Sequence, residues 1–343
     1  MKIGIITYII EIILIFLFRY ILKKEKTDKL FLKVSFAVLL LSLFVRKPIS
    51  DMRNYLNYFH YLNNCSLEEF FKFDLEILYK ILNLFIGKIW LNDTFFMIVI
   101  AFITSIGPYF LIKKYSKNYG MSILLYISIG SFYMQFFIIR QAIAISILSF
   151  SLIFIEKRKF IKYAILVVIA SLFHTSALFF IIVYPFCIWK NKKMKFVVFS
   201  IVSAIAYIFK EKIVSLIIHT GYANYLTSAK YGYAGSGYGA LAMFIIIILL
   251  CYLFDNKEDD REKEMFYSIS FIGITIHALA PQLAILGRLS NYFCDSYCIL
   301  PVNIFEKSLK DNTKILNFCI IVCTFVYLFL FNQYTDYSFI WIM

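Results

Sequence analysis

The chain has 343 residues, of which 62% are hydrophobic and 16% charged, and its formal net charge is +14. Soluble domains carry about a quarter charged and about half apolar residues, so a water-soluble fold is excluded. The Lys and Arg residues sit in short clusters at the ends of apolar runs, as topology signals do, and this pattern excludes nucleic acid as a partner.

In chain order, membrane-spanning runs are expected near 3–22, 29–45, 94–112, 119–137, 140–156, 160–174, 175–189, 194–210, 238–254, 264–281, 285–305 and 313–332. The expected fold is therefore an all-α polytopic membrane protein, a single transmembrane domain with about 12 transmembrane helices. The first run is too long for a signal-peptide core, has no small-residue cleavage site and ends in a basic cluster, which predicts a retained span. The runs 160–174 and 175–189 are short for a bilayer and are consistent with a hairpin that dips in.

Most of the 35 Lys and Arg residues fall in one alternate set of connections, around Lys23–Lys33, Lys113–Lys117, Lys157–Lys162, Lys190–Lys195, Lys257–Lys263 and Lys307–Lys314. That face is expected to be cytoplasmic. The assignment requires that Asp74 to Trp90 does not cross. This segment carries Asp74, Glu76, Lys80, Asn83 and Lys88 and reads as an amphipathic helix on the outer face, lying in the interface or dipping into it. Residues 46–93 then form one external loop and residues 211–237 a second. Both are rich in Tyr and Asn, which suit sugar faces and hydroxyls but also occur at ordinary membrane interfaces.

Of the seven cysteines, only Cys65 lies in a polar loop, so no disulfide framework is expected. Cys294/Cys298 and Cys319/Cys323 are spaced i, i+4 within apolar runs. They read as small packing residues, and no metal site is expected.

The informative polar residues stand near the outer ends of apolar runs. Arg140 and Gln141 begin one span, Arg288 lies just inside another with Tyr292 four residues on, and His174 marks the turn of the short hairpin. Glu76 opens the amphipathic helix, and Asp51 follows Arg46, Lys47 and Pro48. Each arginine taken alone is compatible with snorkelling to headgroups, and a lone histidine with packing. Together, on one side, they suggest a wet inward-facing cavity. Converging arginines make a pyrophosphate clamp, since the planar guanidinium matches phosphate oxygens. Arg140 and Arg288 are the expected diphosphate ligands, with Arg46 or Arg53 closing over the group. Asp51, Glu76 and His174 are the candidate groups for activating an attacking hydroxyl. Asp51 and Glu76 alone are too few for a confident divalent site.

In order, these features resemble the EpsG-type, Wzy-like polysaccharide polymerases of bacterial envelopes. The resemblance is carried by D-x-x-x-Y-x-x-Y at Asp51, Tyr55 and Tyr58, by EILYKILN from Glu76, and by IRQAIAI at Arg140–Gln141. It continues in the KRKFIKY…SLFHTSAL run ending around His174, and in RLSNYF…LP from Arg288 to Pro301. It departs from the family in having Ile77 where Glu-Pro is common at the helix start. The first external loop also looks like that of GT-C membrane glycosyltransferases. The resemblance implies an enzyme of the cytoplasmic membrane that joins repeat units on its outer face, for capsule, O-antigen or exopolysaccharide. It implies undecaprenyl-pyrophosphate-linked oligosaccharides as substrates, with Tyr55, Tyr58, Gln141 and Tyr292 placing the sugars and no cofactor. A chain-length regulator, a flippase and membrane lipids are the expected partners. Another lipid-phosphate-dependent transferase or a glycan ligase fits the same residues, whereas a transporter should show repeated halves, which are not seen.

Overall fold

The computed structural model describes Ile13 and residues 28–48, 51–189, 191–218, 238–255, 260–280 and 284–308. The expected spans at 313–332 and, but for Ile13, at 3–22 lie outside the described residues, as do residues 219–237 of the second loop. The described chain is helical. It falls into two compact units that part between Ile181 and Ile182.

The first unit holds α1 (Asp28–Phe44), α2 (Asp51–Asn64), α3 (Leu67–Lys72), α4 (Ile77–Ile89), α5 (Asp93–Tyr115), α6 (Tyr119–Ser128), α7 (Met134–Phe137), α8 (Ile139–Glu156) and α9 (Phe160–Ser171). Only α5 and α8, among the described residues, are long and apolar enough to cross a membrane on those criteria alone, and several shorter apolar helices accompany them. Their starts and stops follow local chemistry. Asn92 caps α5 by accepting the Phe95 N–H, and Asn118 caps α6 by accepting that of Met121. Ser66 and Glu69 form a reciprocal capping box at α3, satisfying backbone donors that the first turn leaves unpaired.

Packing sets the direction of each helix. Phe36 meets Tyr109 and Phe44 meets Phe102, so α1 and α5 run antiparallel. Phe110 stacks on Phe150, and Lys114 pairs with Glu156, so α5 and α8 run parallel. The basic clusters at Lys29/Lys33, Lys113/Lys114 and Lys157/Lys159 therefore gather at one end of this unit. Residues 46–93 and Arg140 gather at the other, about 24 Å along α8 from Glu156.

Pro108 lies inside α5. Proline disturbs the helical ladder one turn back, and here Ser146 of α8 enters the gap. Its hydroxyl accepts the Gly107 N–H at 3.0 Å and donates to the Ile103 carbonyl at 2.6 Å. A Cβ on Gly107 would overlap the Ser146 backbone, so glycine is what permits this close approach.

Three expected elements differ in detail. The run 119–137 is not one continuous helix: it breaks after Ser128, where Gly130 takes φ +89°. Buried polar groups support the break. Gln135 receives hydrogen bonds from Thr104 and Ser105 at 2.9 Å each and donates to Tyr126. The run 285–305 is likewise interrupted by a 3-10 turn, Asp295–Cys298. The amphipathic helix is α4, but its polar side faces inward. Lys80 and Asn83 are buried, whereas Ile81, Phe85, Ile89 and Trp90 are exposed. Lys80 donates to the Phe70 and Phe73 carbonyls at 2.8 and 3.0 Å, filling acceptors that the end of α3 leaves open. Such an arrangement suits an apolar surrounding better than water.

The second unit holds α10 (Val183–Ile188), α11 (Lys192–Ile208), α12 (Lys210–Ile218), α13 (Tyr238–Phe254), α14 (Arg261–His277), α15 (Ala284–Cys294) and α16 (Leu300–Ser308). Lys195 meets Glu264 and Ser268 near the starts of α11 and α14, and Ser203 meets Thr275 farther along, so these helices run parallel. Here too the basic starts, with Lys193, Lys195, Arg261 and Lys263, share one end, and His277 marks the other end of α14. The helix α12 begins what was expected to be the second external loop.

Candidate active site

The apolar floor of the site is laid by Tyr55, Phe59, Tyr79, Ile139 and Ile143, contributed by α2, α4 and α8. This packing brings three separate segments to one point. Glu76 is the residue preceding α4, and its carboxylate does not cap that helix. Instead, Oε2 accepts from Arg140 Nη1 at 2.5 Å. Oε1 accepts from His174 Nδ1 at 3.1 Å and from the Thr175 backbone N–H at 3.2 Å. The Leu78 N–H donates to the Leu172 carbonyl at 3.1 Å, fixing the start of α4 to the turn that carries His174.

The side chains retain 13% (Glu76), 24% (Arg140) and 27% (His174) of their exposure. The cluster is thus largely but not wholly buried. Burial by itself would push the Glu76 pKa up from its ordinary value. The hydrogen bond from His174 and the positive charge of Arg140 outweigh it and hold the carboxyl at about 2, so Glu76 is ionised at neutral pH.

Arg140 also hydrogen-bonds with the Tyr55 hydroxyl. Tyr55 packs against Tyr58 and Tyr79 at ring-centroid distances of 6.2 and 6.1 Å. Tyr58 continues to Phe73 at 5.5 Å, and Phe73 to the exposed Tyr61 at 4.8 Å. Asp51 is the first residue of α2, one turn before Tyr55 and on the same face.

The structure thus brings Glu76, Arg140, His174 and Tyr55 together, with Tyr58 beside them. Gln141 is buried next to Arg140 in sequence. Arg46 is buried elsewhere in this unit: it donates to the Gln135 carbonyl at 2.6 Å and lies over the Phe136 ring. Arg53 is exposed and donates to the Pro48 carbonyl at 3.0 Å. Arg288 and Tyr292 belong to α15 in the second unit, where Tyr292 is buried. There His277, at the end of α14, bonds Ser290 of α15 at 2.8 Å.

Tyr79 was not singled out from the sequence, and Lys80 and Asn83 stood there only as marks of an amphipathic helix. Tyr79, Lys80 and Asn83 follow Glu76 at i+3, i+4 and i+7, a polar stripe within an apolar helix, and such a stripe marks the face turned toward protein. The Thr175 N–H leaves no side-chain signature. His277 and Gln135 each stand singly in apolar runs. No group of three or more metal-ligating side chains occurs among the described residues.

The arrangement supplies an ionised carboxylate, a guanidinium and an imidazole at the end of the first unit opposite its basic connections. A family model described as the EpsG family matches residues 46–342. No curated protein and no solved structure matches the chain.

Proposed function

The chain belongs to the EpsG family, and from that membership we propose that it polymerises lipid-linked oligosaccharide repeat units. The donor is a glycan on undecaprenyl pyrophosphate, and the acceptor is a sugar hydroxyl of another lipid-linked unit. The product is a capsule, O-antigen or exopolysaccharide chain. The protein lies in the cytoplasmic membrane with about 12 spans, and the reaction takes place on the outer face. The observation that carries this reading is the Glu76–Arg140–His174 cluster, built on residues of the matched region and set away from the basic loops.

In this reading, Arg140 and Arg288 are the diphosphate ligands, and Arg53 closes over the group. Guanidinium groups stabilise the charge that grows on the departing diphosphate. Asp51, Glu76 and His174 meet the acceptor, and Tyr55, Tyr58, Gln141 and Tyr292 place the sugars. A flippase supplies the units, and a chain-length regulator sets the product size.

Arg288→Ala and Arg140→Ala should each cause single lipid-linked units to accumulate while the protein still inserts. Long polymer of normal length from both variants would overturn the proposal. A ligase or a monosaccharide transferase is separated by the ladder of repeat lengths, since only a polymerase alters it.

A further inference from the structure

The charge arrangement at Glu76 divides the labour among the residues of the cluster. An ionised carboxylate has no proton to give, so the contact between Glu76 Oε1 and His174 Nδ1 must carry its proton on Nδ1. With the Nδ1 proton so placed, the uncharged form of the ring carries its lone pair on Nε2, and no described residue bonds that nitrogen. The Thr175 N–H on the same carboxylate oxygen holds Oε1 in place. The ring is fixed from the backbone side as well: the His174 N–H donates to the Ala170 carbonyl at 3.0 Å, and the His174 carbonyl accepts from Ala177 at 2.9 Å.

Glu76 itself is poorly suited to be the base. Both of its oxygens are engaged by cationic or N–H donors, and a carboxylate so stabilised has little affinity for a further proton.

We infer that His174 is the catalytic residue that takes the acceptor proton at Nε2, and that Glu76, oriented by its bond with Arg140, is a positioning residue acting through it. This rests on the polymerase reading above. The acceptor oxygen forms a bond to the donor's anomeric carbon as its O–H bond breaks, and the proton passes to Nε2. The bond between that carbon and the diphosphate oxygen breaks, and its electron pair leaves with the diphosphate. The imidazolium so formed faces Glu76, which stabilises it. Arg140 keeps Glu76 ionised and turned toward the ring. The groups placed around His174 are Glu76 before α4 and Arg140 on α8, with Tyr55 of α2 beyond Arg140.

The test uses the full-length protein in lipid nanodiscs, with the lipid-linked repeat unit extracted from a strain lacking this protein as substrate. His174→Ala should lower kcat by about 10²–10⁴-fold and leave KM within about threefold. Glu76→Gln should lower kcat and move the acidic limb of its pH profile to lower pH, because the imidazolium loses the carboxylate that stabilises it. Glu76→Asp should recover part of the rate. Nitrogen-15 NMR of the histidine-labelled wild-type protein gives a readout independent of variant folding, and it should find Nδ1 protonated and Nε2 bare. Wild-type kcat in His174→Ala, an unmoved acidic limb in Glu76→Gln, or a proton on Nε2 would each overturn the inference. If His174→Ala elongates normally while Arg288→Ala does not, this assignment fails and the polymerase reading stands. If the wild-type protein never elongates the substrate, it is the polymerase reading that fails.

Discussion

Ser146 stands inside the hydrogen-bond ladder of α5 at Gly107, taking the glycine N–H at 3.0 Å and passing its own proton to Ile103. Two helices are thereby joined at the point where Pro108 weakens one of them. Ser146→Ala removes both bonds and should cost about 1–2 kcal/mol. Gly107→Ala should cost more, because the new methyl meets backbone rather than a side chain that can turn aside. Thermal unfolding in detergent measures both, and a Gly107→Ala protein as stable as wild type would refute the contact.

Glu76 gives the fold a pH dependence of known sign. Its folded-state value of about 2 lies below the ordinary carboxylate value of 4.5. The stabilisation is therefore fully present above about pH 4.5 and is lost as pH falls toward 2. With a mostly buried side chain, the loss is on the order of 3 kcal/mol at most. Glu76→Gln should flatten the melting-temperature profile in that window and leave the wild-type slope elsewhere.

The two arginines flanking Pro48 should behave oppositely. Arg46 is 1% exposed and occupied by Gln135 and Phe136, so Arg46→Ala should destabilise by several kcal/mol through an uncovered carbonyl and a void. Arg53 is exposed, and Arg53→Ala should stay within about 0.5 kcal/mol in stability. Equal melting temperatures for the two variants would contradict the geometry.

Much of this was legible in the sequence, for physical reasons that can be named. Apolar length reveals α5 and α8, and Asn92 and Asn118 mark where α5 and α6 begin. The basic clusters require 74–90 to stay on one side, and in the first unit Glu76, Arg140 and His174 do meet at the end opposite those clusters. The pairing itself was not legible. A carboxylate and an arginine separated by 64 residues advertise no partner, and hydropathy averages over the features that matter most inside a bilayer. The break after Ser128 has only Gly130 as its signal, in a stretch otherwise apolar enough to continue. Lys80 served in the sequence only to mark an amphipathic helix, whereas the end of α3 supplies carbonyls that draw it inward. The register of Tyr79, Lys80 and Asn83 behind Glu76 held that information, but periodicity is usually scored for apolar residues and not for polar ones.

The bond from Arg46 to Gln135 spans 89 residues, and this sets an order of events during synthesis. When α1 leaves the insertion machinery, the carbonyl that Arg46 will occupy has not yet been translated. A guanidinium left unpaired at that depth is costly, so the nascent chain must keep Arg46 among headgroups until α5, α6 and α7 have followed. The joint between α1 and α2 is thus made well before the segment that locks it. An insertion delay between residues 93 and 137 would leave that joint exposed to quality-control proteases.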